Sequence, residues 1–138
     1  MKALFIGETG FHRIDRYLTA LFLAVSATFT CFSQTTGQAE VDKKARAFLS
    51  KHSSEWYDMN VPAKDGKLLY DLIVENNYQR ALEIGTSTGH SSIWMAWALS
   101  KTGGKLITIE IDEKRHREAL KNFKEAGVAD FIDARLAD

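Results

Sequence analysis

Between Ala39 and Ser53 the chain reads AEVDKKARAFLSKHS, with Val41, Ala45, Phe48 and Leu49 recurring at helical spacing and charges between them. That pattern predicts a short amphipathic helix. Pro62, suited to a first helical turn, opens a second predicted helix that runs to Glu75 and is closed by Asn76-Asn77. Its apolar stripe is Leu68, Leu69, Leu72 and Ile73. The period then changes. ALEIG (Ala81 to Gly85) is a short buried strand, HSSIWMAWALS (His90 to Ser100) a helix ended by Lys-Thr-Gly-Gly, and KLITIEI (Lys105 to Ile111) a strand rich in β-branched residues. Asp112 makes an N-cap for EKRHREALKNFKEAG, with Gly127 as its stop, and DFIDARLAD begins a third strand. A strand-helix-strand-helix-strand order calls for parallel strands joined by right-handed crossovers. The fold class is therefore α/β, and residues 40–138 form the N-terminal half of a doubly wound, Rossmann-like sheet, preceded by helices. A full sheet of that kind has its first strand at the centre. The domain is thus expected to be truncated after its third strand, with ALEIG left as an open apolar edge and a homodimer as one way to cover it.

The first forty residues follow another pattern. Lys2, His12, Arg13 and Arg16 give a basic start, and from Tyr17 to Ala39 no residue is charged. The strongly apolar part, Leu18 to Ala27, has the length of a secretory h-region and is too short for the roughly 20 apolar residues of a membrane span. Val25-Ser26-Ala27 supplies small residues for a signal peptidase, so residues 1–27 read as a signal peptide cleaved after Ala27. A site after Ser33 is the second choice, and the boundary can reach residue 39. Cys31 follows Thr30, a poor fit to a lipoprotein signal. Export to the periplasm or medium follows if the signal is real, and a cytoplasmic location if it is not. The alternatives are an uncleaved anchoring helix, which would be the chain's contact with a membrane, or an upstream extension from a misassigned start.

Across the 138 residues, Lys plus Arg and Asp plus Glu both total 18, so no charge excess draws the chain to nucleic acid. The single cysteine excludes an internal disulfide and a cysteine-based metal cluster. His12, His52 and His116 are scattered without ligand spacing, and no metal site is predicted from these residues.

The chemistry gathers in LEIGTSTGHSS, Leu82 to Ser92. A glycine-bearing bend between a strand and a helix lets a ligand approach bare backbone and meet the unpaired N–H groups of the helix start. A phosphate-gripping P-loop, G-x-x-x-x-G-K-[ST], is absent from the sequence. The dinucleotide pattern G-x-G-x-x-G fails at Ser87, where its middle glycine lets the backbone approach a pyrophosphate. What remains is Glu83 before the turn, Gly85 and Gly89 four apart, and Glu110 at the end of the next strand, placed to bridge two ribose hydroxyls. That is the arrangement of a class I methyltransferase binding S-adenosylmethionine. Plainer readings stand beside it: Glu83 ties down neighbouring backbone N–H groups, Asp112 caps a helix, and Trp94 and Trp97 pack in the core or at a cofactor rim.

Three segments, YDMNVPAKDGKLLYDLI, ALEIGTSTGHSSIWMAWAL and GGKLITIEIDEKRHREALKNFKEAGVADFIDARLAD, resemble in order and spacing the first half of the catechol and caffeoyl-CoA O-methyltransferase family, over roughly Trp56 to Asp138. The resemblance implies that Met59, Asn60 and Val61 lie over the methionine end of S-adenosylmethionine, with the Val61 backbone touching it. It implies that Gly85, within the turn that also holds Ser87 and Gly89, lets the cofactor pass. Ser91 then hydrogen-bonds the cofactor carboxylate, Glu110 grips the ribose, and Asp138 stands near the adenine. His90 receives no role. The family further implies a small, aromatic hydroxyl acceptor and a divalent metal such as Mg held by carboxylates after a fourth strand. Those residues, and any catalytic ones, would lie beyond Asp138. Two other functions stay open: a non-catalytic remnant that binds adenosyl ligands or pairs with another chain, and a nicotinamide-dependent oxidoreductase, which Ser87 disfavours.

Overall fold

A computed structural model describes residues 37–56 and 60–138. The expected signal peptide, its cleavage sites after Ala27 and Ser33, Cys31 and Met59 lie outside the described residues. Among the described residues no helix is long and apolar enough to cross a membrane.

The first helix, α1, covers residues 37–51 and buries Ala45, Phe48 and Leu49, as its spacing predicts. Helix α2 spans Ala63–Glu75, with Pro62 as its N-cap rather than its first residue. Its stripe is narrower than expected: Ile73 is buried, but Leu68 and Leu72 are exposed. The reason is Gly66, which is buried and turned towards Trp94, so that the contact with the next helix runs through the Gly66–Ile73 side.

Three strands, β1 (Arg80–Ile84), β2 (Lys105–Glu110) and β3 (Ile132–Leu136), form a parallel sheet in the order β1-β2-β3. Helix α3 (His90–Thr102) joins β1 to β2, and α4 (Glu113–Glu125) joins β2 to β3. The predicted order holds, with shifted ends. Helix α3 runs two residues beyond Ser100 because Gly103, in the left-handed region, is its C-cap. Asp112 accepts from the Arg115 N–H as the N-cap of α4. A short 3-10 turn, Ala129–Phe131, precedes β3 and takes the first residues of the expected third strand.

Register and alternation place the core. Leu106, Thr108 and Glu110 are buried on the face covered by the helices. Ala119 and Phe123 of α4 share a cluster with Ile93, Ala96 and Trp97 of α3, so both crossovers lie on that face, as same-handed connections moving in one direction must. Helix α3 is apolar nearly all round because α2 and the sheet enclose it. On the opposite face Leu82 and Ile84 of β1 are 65% and 74% exposed.

Candidate functional site

The carboxyl ends of β1 and β2 meet at the glycine turn. Gly85 leaves β1 with φ 89° while its N–H and that of Thr86 both bond the Ile109 carbonyl, at 2.8 and 3.2 Å. Ser87 follows at φ 50°, in a backbone region that side chains rarely adopt, and its N–H donates to Glu110 Oε2 at 2.6 Å. Gly89, at φ 97°, is the N-cap of α3. The two glycines serve different ends. A Cβ on Gly89 would stand 2.4 Å from Phe123 Cε1, whereas a Cβ on Gly85 would meet nothing within 4 Å. Gly89 is required for packing against α4, and Gly85 faces open space where a ligand can approach.

Glu110 is 5% exposed, and its burial is compensated entirely by backbone donors. Oε2 accepts from Ser87, and Oε1 accepts from the N–H groups of Ile111 at 3.0 Å and Asp112 at 2.9 Å. A carboxylate offers about four lone-pair positions, so one remains, on Oε2. One further hydroxyl can be accepted without rearrangement, and a second requires one backbone donor to let go. Asp112 is spent on capping: the Arg115 N–H holds its carboxyl below the usual carboxylate range.

Glu83 is tied down by hydroxyls and not by backbone N–H groups. It accepts from Ser91, from Ser92 and from Thr108 Oγ1, the last at 2.7 Å. Thr108 also pairs with the buried Thr86 hydroxyl at 2.6 Å. These bonds fix the first turn of α3 to β1 and β2. Ser91, expected to bond a cofactor carboxylate, gives its proton to Glu83 here, so donating elsewhere requires its hydroxyl to rotate.

The Asn60-Val61 pair is brought to this turn from the other end of the chain. The Asn60 side-chain amide exchanges hydrogen bonds with the Thr88 hydroxyl at 3.0 and 3.2 Å, and the Val61 carbonyl accepts from His90 Nδ1 at 2.7 Å. Asn122 of α4 donates to the Thr88 carbonyl at 2.9 Å and fixes the turn from beneath. Asn60, Val61, Gly85, Ser87, Gly89 and Glu110 thus lie together around this turn. Asp138 is exposed, just past Ala137, whose N–H bonds the Glu110 carbonyl at 3.0 Å. His90, Thr86, Thr88, Thr108 and Asn122 escaped the sequence reading. The one legible signal was a threonine on the inward-facing side of a strand, at Thr108.

A cavity of about 510 Å³ lies between α1, α2 and α3, lined by Tyr70, Trp94, Trp97 and Arg46, and another of about 570 Å³ lies at the amino ends of the strands beside Gln79 and Gly104. Neither touches the glycine turn. In an open α/β sheet the ligand crevice lies at the carboxyl ends, and the convergent polar groups are there. Among the described residues no group of three or more His, Cys, Asp or Glu side chains is placed to hold a metal ion.

The family described as O-methyltransferase matches residues 33–138. A catechol O-methyltransferase from Niastella koreensis is 40% identical over 77 residues, covering 56% of this chain and 34% of that protein. Caffeoyl-CoA O-methyltransferase 1 from Eucalyptus globulus is 34% identical over 98 residues, covering 71% of this chain and 39% of that protein. Among solved structures, the O-methyltransferase TomG from Streptomyces achromogenes, in complex with SAM, superposes with a TM-score of 0.56 at 34% identity, covering 74% of this chain and 43% of that one. The chain spans little more than a third of the length of these curated relatives.

Proposed function

Because the chain belongs to the O-methyltransferase family, we propose that the carboxyl edge of its sheet binds S-adenosylmethionine and serves methyl transfer to the hydroxyl of a small aromatic acceptor. The observation that carries this reading is Glu110: a buried carboxylate at the end of the middle strand, held by three backbone N–H groups, with acceptor capacity left beside the open space at Gly85. In that arrangement Glu110 takes a ribose hydroxyl, Gly85 lets the cofactor lie against the strand end, and Asn60 and Val61 border its methionine end. Ser91 reaches the cofactor carboxylate once its hydroxyl turns from Glu83, and Asp138 stands on the adenine side. The bound cofactor supplies an electrophilic methyl group on a sulfonium. The described residues bind and orient the cofactor.

Two titrations followed by calorimetry test the reading. Saturable binding of S-adenosylhomocysteine with no heat from NAD is expected, and the reverse would contradict it. Methyl transfer to a catechol separates an enzyme from a protein that only binds adenosyl ligands.

A further inference from the structure

His90, the first residue of α3, is 2% exposed and makes two hydrogen bonds whose partners admit one protonation state. The Val61 carbonyl, 2.7 Å from Nδ1, only accepts, so Nδ1 carries a proton. The Trp94 indole N–H, 3.2 Å from Nε2, only donates, so Nε2 carries none. The ring is therefore neutral and fixed as the Nδ1–H tautomer, with the Trp56 ring stacked on it at 4.3 Å and 15°. A proton added at Nε2 would face the indole N–H and would place a cation at the positive end of a helix. Burial pushes the imidazole below its ordinary value of 6.5, opposed by the bond to Val61. Among the described residues, the titratable groups nearest it on the neighbouring segments are engaged elsewhere or exposed. His52 and Glu55, ahead of Trp56, pair with each other; Glu83, beneath the start of α3, holds Ser91 and Ser92; Lys64 and Asp65, after Val61, are exposed.

We propose that His90 is a positioning residue for the cofactor site: its neutral imidazole latches the Val61 carbonyl and, with the Asn60–Thr88 pair, fixes the Asn60-Val61 wall against the glycine turn. This rests on the reading that Asn60 and Val61 border the cofactor. Protonation leaves Nδ1–H able to donate to Val61 but sets a new N–H at Nε2 against the Trp94 indole N–H in a buried site, so the ring takes a proton more readily once it leaves this place, and the latch weakens as pH falls below the ordinary histidine value.

Two variants separate the latch from simple packing. His90→Asn keeps an amide nitrogen where Nδ1 stands and does not titrate, whereas His90→Phe keeps a buried ring and offers no donor. S-adenosylhomocysteine is titrated into the full chain between about pH 5 and about pH 8. The wild type is expected to lose about two- to tenfold in affinity towards acid, the worth of one hydrogen bond. His90→Phe should be weakened by a similar factor at the alkaline end and stay flat, and His90→Asn should bind like the wild type there and also stay flat. Wild-type affinity in His90→Phe, or a wild-type acid response in His90→Asn, overturns the proposal. Two readouts need no cofactor: the ring-nitrogen chemical shifts of His90, and amide exchange at Asn60 and Val61, which should be faster in His90→Phe than in His90→Asn. If the wild type binds no S-adenosylhomocysteine, the functional reading fails while these data still decide the latch. An Nε2–H tautomer, or equal exchange in the two variants, overturns it.

Discussion

The two glycines of the turn are identical as letters and different as positions. Both hold a positive φ that costs a side-chain-bearing residue about 1 to 2 kcal/mol. Gly89 adds a collision with Phe123, itself buried, and overpacking of that kind costs about 1 to 3 kcal/mol more. Thermal denaturation should therefore find Gly89→Ala clearly less stable than Gly85→Ala. Adenosyl-ligand affinity measured on the folded protein should fall further in Gly85→Ala, whose new methyl group enters the space the ligand needs. The opposite ranking in both measurements would place the ligand on the wrong side of the turn. The contrast also marks the limit of what letters convey. That Gly85 and Glu110 converge was legible, because the end of a strand and the following bend are fixed by local pattern. That Gly89 answers to Phe123, thirty-four positions later, was not, and neither was the tautomer of His90, which is set by Val61 and Trp94 together.

At the scale of elements, the period of the apolar residues foretold the order β-α-β-α-β and parallel pairing, since each strand and helix carries its own pattern. It drew the α2 stripe too wide: Ile73 is buried and Leu69 packs against the core, but Leu68 and Leu72 are exposed. The closest contact is made by Gly66, beside Ile73, and no hydrophobicity pattern selects a glycine. A Cβ there would lie 2.2 Å from Trp94 Cδ1. Two effects oppose each other in Gly66→Ala: helix propensity favours alanine by about 1 kcal/mol, and overpacking costs about 1 to 3 kcal/mol. The Trp94 ring is held by its bond to His90 and cannot simply swing away, so the clash should win. Chemical denaturation is expected to show Gly66→Ala destabilised, by up to about 2 kcal/mol. A stabilised variant would mean that α2 and α3 pack less closely than this. Helix α1 is fixed by a different device. Asp42 accepts from the Trp97 indole at 2.8 Å and from Lys101 and Gln38, and these bonds outweigh the effect of burial and hold its carboxyl below the usual range.

Across the described residues as a whole, one face of the sheet is covered by helices and the other leaves Leu82 and Ile84 open on an edge strand. Unpaired backbone flanked by apolar side chains is a template for association. The chain alone should self-associate with rising concentration in sedimentation runs. Ile84→Lys should weaken that association with little change in thermal stability, because a lysine at an exposed edge position repels a second edge without touching the buried face. A wild type that stays monomeric up to its solubility limit would contradict this. The central claim, that the carboxyl ends of the same strands hold an adenosyl cofactor through Glu110, is tested most directly by calorimetric titration of S-adenosylhomocysteine into the wild type, Glu110→Gln and Asp112→Asn. Charge-assisted bonds to ribose hydroxyls are worth about 1.5 to 3 kcal/mol, so Glu110→Gln should bind roughly 10- to 150-fold more weakly. Asp112→Asn, which still caps α4, should stay within about twofold. Unchanged binding in Glu110→Gln together with loss in Asp112→Asn would contradict the assignment of the ribose to Glu110.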